Sequence, residues 1–220
     1  MFDKLLSTIA PHLCFSCGKT GSVLCDNCKY NIVSESYSGC LACGRIAGST
    51  GVCSNCQLPY IRAWCAGERE GVLQRIIGAY KFQNNYAAHQ LLADILVERI
   101  GRLPTDTIIV PVPTVVSHIR ERGYDHTLLL AKRMAHQLGV TYRTSLQRNG
   151  NAKQREASRA VRKQQAKQAF YVDGSVPPVP HLLIDDIVTT GATVHYGALA
   201  LKNAGASEVW VATIARQPLD

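Results

Sequence analysis

Apolar residues follow two rhythms along this chain. From about residue 60 onward, short unbroken apolar runs alternate with stretches where apolar residues recur every three or four positions. The first rhythm marks buried strands and the second marks helices with one buried face. Val72 to Gly101 reads mostly as helix, with Ile76/Ile77, Tyr80, Leu91/Leu92 and Ile95/Leu96 on its buried face. Thr107-Ile108-Ile109-Val110 reads as a short buried strand, and Pro111-Val112-Pro113 marks its carboxyl edge because proline cannot continue a central strand. Ser117 to Leu138 reads as a helix or a loop leading into one, and Val140 to Leu146 is a further strand candidate. Leu182 to Asp186 is a strand, Ala192 to Ala204 a helix closed by Gly205, and Glu208 to Ala215 a final strand. Strands alternating with helices predict an α/β fold with a parallel sheet and flanking helices, Rossmann-like in layout. Ligands of such sheets bind beyond the carboxyl ends of the strands, which puts Pro111–Pro113 and Asp185–Thr193 on one rim.

The first 60 residues break this rhythm and are rich in Cys, Ser and Gly. The shift predicts a small module over 1–60 and an α/β domain over 61–220. At 220 residues with 46% hydrophobic content, the chain can bury a substantial core. No apolar run is long enough to span a bilayer, and Leu5 to Ala10 is too short and too weakly flanked by positive charge for an export signal. A cytoplasmic protein with no membrane insertion is expected.

Eight of the nine cysteines form Cys-x-x-Cys pairs: Cys14/Cys17, Cys25/Cys28, Cys40/Cys43 and Cys53/Cys56. A two-residue gap lets both thiolates of a knuckle face one metal, and two knuckles complete a tetrahedral sulfur site that favours zinc. Gly18 and Gly44 follow a second cysteine, where glycine eases the tight turn that aims N–H groups at sulfur. The paired spacing without an export signal argues against disulfides, and four such motifs exceed the needs of one redox site. Two structural zinc ions are therefore expected. Sequential and crossed pairings of the knuckles are both open. Cys65 reads as a small apolar residue at the junction. So small a module would draw most of its folding energy from metal, and chelation would melt residues 12–60.

The net charge of +8 is concentrated. Between Arg148 and Phe170 lie Arg148, Lys153, Arg155, Arg159, Arg162, Lys163 and Lys167 against Glu156 alone. Such a block is either a solvated helix or a surface for an anion. Aromatics beside basic residues (Tyr142/Arg143, Phe170/Tyr171, Tyr80/Lys81/Phe82) could stack on bases of a single strand. His89, His118, His136, His181 and His195 read as surface or packing residues.

The densest chemistry is Leu182-Leu-Ile-Asp185-Asp186-Ile187-Val188-Thr189-Thr190-Gly191-Ala192-Thr193. Two carboxylates at the end of an apolar strand can accept hydrogen bonds from vicinal hydroxyls. The turn that follows can wrap a phosphate with N–H groups and threonine hydroxyls, with Gly191 allowing close backbone approach and a helix N-terminus behind it. A cap would need one polar residue, not two acids and three threonines. The stretch resembles the signature with which type I phosphoribosyltransferases hold the ribose and 5-phosphate of phosphoribosyl pyrophosphate (PRPP).

Four features together resemble the ComF (competence protein F, ComFC/GntX-like) family. They are the cysteine module, Tyr80-Lys81-Phe82, Val110-Pro111-Val112-Pro113 with Arg120-x-Arg122-Gly123, and Ile184 through Thr193. A weaker fifth match runs from Gln154 through Arg162 to Ala169-Phe170. The resemblance implies a double zinc ribbon joined to a type I phosphoribosyltransferase-like domain, and a role in natural competence, moving incoming single-stranded DNA into the cytoplasm. It implies Asp185 and Asp186 on the ribose hydroxyls and Ile187, Val188, Thr189, Thr190, Gly191, Ala192 and Thr193 around the phosphate. It places Pro111, Val112 and Pro113 by the pyrophosphate, with Lys81, Arg120, Arg122 and Gly123 as helpers. Mg²⁺ would accompany PRPP. Phosphoribosyl transfer from PRPP is one expectation, with no acceptor motif in view and the basic segment closing over the site. A nucleic-acid module with a vestigial pocket is the second, and an adaptor docking a competence helicase or uptake channel protein the third. The chain departs from the family pattern at Tyr124, Asp125 and His126, where Phe-Asn-Gln is usual, and at Ala157 and Gln165.

Overall fold

The computed structural model describes residues 13–82, 86–149 and 169–218. Within the cysteine-rich part, α1 covers Asp26–Ser34. The α/β part then runs β1 (Arg62–Glu68), α2 (Gly71–Phe82), α3 (Tyr86–Ile100), β2 (Ile108–Pro111), α4 (Val116–Arg122), α5 (His126–Leu138), β3 (Thr141–Tyr142), β4 (Leu146–Arg148), β5 (Phe170–Val172), β6 (His181–Val188), α6 (Ala192–Asn203) and β7 (Val209–Arg216). The main sheet has the order β1-β7-β6-β2-β3, with every neighbouring pair parallel, and β4 and β5 form a separate antiparallel pair. A parallel sheet with flanking helices is the expected architecture.

Burial on both faces explains why the strands read as continuous apolar runs. Leu182 and Ile184 pack with α2, α3 and α5, while Leu183 packs with Val194, Ala198 and Leu201 of α6 on the other face. The helix face expected over 72–101 is buried throughout, but as two helices, α2 and α3. Likewise 117–138 divides into α4 and α5, separated by Gly123 in the left-handed region at φ 79°. The strand expected over 140–146 is two pieces: β3 extends the sheet edge beside β2, and Leu146 opens the separate hairpin. The signature strand reaches Val188, so both aspartates lie within its ladder, opposite β7.

After β2 the chain moves outward to β3, and after β6 it moves the other way to β7. The strand order therefore reverses between β2 and β6, the place where parallel sheets open a crevice at their carboxyl ends. No helix among the described residues is long and apolar enough to cross a membrane.

Candidate functional site

A cavity of about 300 Å³ occupies that crevice. Its floor is Asp185, Asp186 and Ile187 from β6, and its wall is Val112, Pro113, Thr114 and Val115 from the loop after β2. Lys81, His118, Arg122, His126, Thr127, Arg148 and Thr193 complete the lining. One acidic centre is thus ringed by Lys81, Arg122 and Arg148, cations drawn from three separate elements.

Both aspartates are buried, each 7% exposed, and each is held by the next residue's amide. The Asp186 N–H donates to Asp185 Oδ1 at 2.9 Å, and the Ile187 N–H donates to Asp186 Oδ1 at 2.6 Å. Their electrostatics diverge. Burial, followed by the neighbouring Asp186 charge, pushes the Asp185 carboxyl well above the usual carboxylate range. Burial also works against the Asp186 charge, but the His126 ring and the Lys81 ammonium overcome it and hold that carboxyl well below the usual range. Lys81 pairs with Asp186 Oδ2, and His126 Nε2 lies 2.7 Å from the same oxygen. Such divergence within one site marks functional positions as well as structural ion pairs.

The turn after β6 leads into α6, and of Thr189, Thr190, Gly191, Ala192 and Thr193 only Thr193 lines the cavity. Thr189 and Thr190 are exposed, Gly191 is buried in the left-handed region at φ 76°, and α6 starts at Ala192. The Thr190 hydroxyl accepts the Ala192 N–H at 3.4 Å. Gly191 lies against the cysteine-rich part: a Cβ there would meet Ala42 Cα at 3.5 Å and Leu41 O at 3.6 Å.

Of the residues singled out in the sequence, the structure brings Lys81, Val112, Pro113, Arg122, Asp185, Asp186, Ile187 and Thr193 to the cavity. Pro111 is buried within β2, Val188 is buried in β6, and Arg120 and Gly123 are exposed outside the cavity lining. His118 was read as surface or packing but lines the cavity, and Thr114, Val115, His126, Thr127 and Arg148 were not assigned to it. Asp125, a departure that adds charge, is the N-cap of α5: its Oδ1 accepts the Leu128 N–H at 3.1 Å and the Thr114 hydroxyl at 2.8 Å. Tyr124 is also structural, its hydroxyl donating to Tyr80 O. Tyr80 and Phe170 are buried and so withdrawn from base stacking, whereas Tyr142 and Tyr171 are exposed. The basic segment falls almost wholly on 150–168, outside the described residues; its flanks meet where the Arg148 guanidinium lies 5.5 Å from the Phe170 ring centroid.

The cysteines gather in sequential sets, Cys14/Cys17/Cys25/Cys28 and Cys40/Cys43/Cys53/Cys56, each with its sulfurs within 4.8 Å of one another. Four sulfurs 2.3 Å from a tetrahedral zinc stand about 3.8 Å apart. The Cys14–Cys25, Cys17–Cys25 and Cys43–Cys53 separations of 3.9, 3.7 and 3.6 Å match that figure, so both sets fit structural zinc. Burial at Cys14 is outweighed by N–H groups of Cys17, Cys25 and Ser16, which lower its thiol to about 6, a value suited to a thiolate ligand. Gly18 and Gly44 do adopt positive φ, but their amides close the turn onto Cys14 O and Cys40 O rather than onto sulfur. Cys65 is buried, donates to Gly67 O at 3.2 Å and is pushed up to about 12, chiefly by burial.

No family model matches the chain. Curated relatives align along nearly all of it. It is 28% identical to the DNA utilization protein YhgH of Salmonella typhi, covering 91% of this chain and 96% of the relative. It is 29% identical to competence protein F of Haemophilus influenzae, covering 88% and 90%. It is 26% identical to competence protein ComFC of Streptococcus pneumoniae, covering 89% and 88%. The chain is thus similar, over most of its length, to curated proteins named for competence and DNA utilization. Among solved structures, the chain is similar to an orotate phosphoribosyltransferase from Aeropyrum pernix, at 19% identity over 59% of each chain with a TM-score of 0.38.

Proposed function

We propose that the chain binds PRPP in the crevice between β2 and β6, as a phosphoribosyltransferase-like protein of DNA uptake in natural competence. The observation that carries this is the Asp185–Asp186 pair, buried at the end of a central strand yet facing a cavity that Lys81, Arg122 and Arg148 also line. A sugar diol satisfies carboxylates, and Lys81, Arg122 and Arg148 suit a pyrophosphate. The Thr189–Thr193 turn and the start of α6 suit the 5-phosphate. Mg²⁺ arriving with PRPP would neutralise pyrophosphate and ribose oxygens. Transfer would break the bond from sugar C1 to pyrophosphate and form one from C1 to an acceptor nucleophile, with Lys81, Arg122 and Arg148 stabilising the departing charge. The competence assignment comes from the relatives' names; PRPP comes from the chemistry of the site. The module boundary at residue 60, a cytoplasmic location, single-stranded DNA and a helicase or uptake-channel partner belong to the same proposal.

Calorimetric titration of PRPP with Mg²⁺ into the intact chain and into Asp185→Asn/Asp186→Asn tests the pocket. Loss of two charge-assisted acceptors should weaken binding at least about tenfold. Equal affinity for the double variant removes the aspartates from the site. The single variants should separate in thermal stability at neutral pH. The Asp185 value is raised in the fold, so stability from this group falls as pH climbs through it, and Asp185→Asn should raise the melting temperature. The Asp186 value is depressed, so its stabilisation is complete above the ordinary carboxylate range and is lost progressively as pH falls from that range through the lowered value. Asp186→Asn should therefore cost about 1–3 kcal/mol, with Lys81 and His126 left facing a neutral amide.

A further inference from the structure

His126 is packed into place from every side. Asp125 caps the helix that His126 begins, and the buried Thr127 hydroxyl donates to Val112 O at 2.7 Å, tying that helix to the cavity wall. The Tyr80 hydroxyl donates to His126 O at 2.6 Å, and the Tyr80 ring stands edge-on to the imidazole at 6.3 Å. The imidazole itself is 7% exposed. Arg122 Nη1 lies 3.2 Å from Nδ1, and Nε2 faces Asp186 Oδ2 at 2.7 Å. A guanidinium has no acceptor, so Arg122 is the donor and Nδ1 must carry the lone pair. The ring proton is then on Nε2, directed at the carboxylate.

We propose that His126 is a positioning residue for the sugar-binding carboxylate. Arg122 fixes the ring tautomer, and the ring holds Asp186 Oδ2 in place, leaving Lys81, bound to the same oxygen, able to turn to an incoming phosphate without releasing the aspartate. The proposal rests on the PRPP reading of the site and adds a residue to it. Glutamine is the conservative replacement, because its amide oxygen can accept from Arg122 while its NH₂ donates to Asp186. Leucine fills the space and does neither.

The test has two arms on the full chain. Calorimetry with PRPP and Mg²⁺ should find His126→Gln within about threefold of the unaltered protein and His126→Leu weaker by about tenfold or more, the cost of losing one of the two donors on Asp186 Oδ2 and with it the fixed position of the carboxylate. Equal binding by His126→Leu overturns the proposal, as does failure of glutamine to rescue. The second arm needs neither variant to fold: ¹⁵N-histidine spectra of the unaltered chain should show the Nε2–H tautomer for His126, and Asp186→Asn should move its Nε2 signal. An Nδ1–H ring, or a signal indifferent to Asp186, overturns the proposal whatever the calorimetry gives. An unaltered chain that fails to bind PRPP overturns the reading of the site and, with it, the proposed role toward the sugar, while the spectra still decide whether His126 holds Asp186.

Discussion

The first cysteine cluster meets the α/β domain through α1, which lies on α3, and the second meets it through a buried arginine. Both have the same four-sulfur ligand set, yet they are fastened to opposite faces of the sheet by different means. Beside the first, Val23 and Leu24 are buried among the residues that cover α2 and α3, while Cys17 stays exposed. Beside the second, Cys40, Leu41 and Cys53 are all buried. Arg216, at the end of β7 and 1% exposed, donates from Nε to Leu41 O at 3.1 Å and from Nη1 to Gln217 O at 3.1 Å, with its guanidinium 5.8 Å from the Tyr37 ring centroid. The Ala63 N–H donates to Thr50 O at 2.8 Å, stitching the same part to β1. Leu41 and Ala42 also back Gly191 in the phosphate-binding candidate turn. The same four-cysteine arrangement thus sits at the periphery in one case and backs the turn at Gly191 in the other.

The largest test of this difference removes each cluster in turn. Cys40→Ser/Cys53→Ser should lose one zinc by metal analysis, lower the melting temperature of the whole protein and weaken PRPP binding at least about tenfold, since structural zinc supplies much of the folding free energy of so small a unit. Cys14→Ser/Cys17→Ser should lose the other zinc and expose the chain near residues 13–34 to protease, with PRPP affinity within about twofold of the parent, as expected for local unfolding. Equal loss of binding in both variants would abolish the distinction.

A finer cut goes through the arginine. Arg216→Met keeps much of the apolar stem but leaves Leu41 O and Gln217 O without their donor, so a loss of about 2–3 kcal/mol is expected in denaturant unfolding. Arg216→Lys keeps the charge without the planar fork and should fall between the two. PRPP affinity should drop a fewfold in Arg216→Met, less than on loss of the second zinc. An Arg216→Met protein as stable as the parent would show that β1 and Tyr37 hold the second cluster unaided.

How much of this was readable in the sequence follows from chain separation. The cysteine knuckles and Asp185 to Thr193 are contiguous, so spacing alone exposed them. The sheet was readable because strands buried on both faces are written as apolar runs. His126 and Arg148 reach Asp186's cavity from elements far along the chain, and no local pattern marks that meeting. His126 was visible only as a departure at a family motif, a signal that gave its place and not its partner. Arg216 had no signal at all: a strand-end arginine looks alike whether it meets water or a backbone carbonyl across 175 residues. The split of 140–146 between two sheets was hidden for a related reason, since β3 and β4 are edge pieces with little burial to impose a period.

The smallest expected effect lies at the first cluster's attachment. Lys29 on α1 pairs with Glu98 on α3, but Glu98 is 45% exposed, so solvent screens the pair and ordering two long side chains offsets part of the attraction. Lys29→Met should change stability by less than about 1 kcal/mol, and the parent's advantage should shrink further in high salt. PRPP affinity should not move, because the main contacts of α1 are with α3 and β1, neither of which lines the cavity. The comparison gains its sharpest form if Lys29→Met and Arg216→Met are measured side by side in denaturant. Each removes one cation fastening a cysteine cluster to the sheet domain, and only the buried one should unsettle the turn at Gly191. A large effect of Lys29→Met on ligand affinity would mean that the first cluster is coupled to the crevice through α3 and Lys81's helix after all.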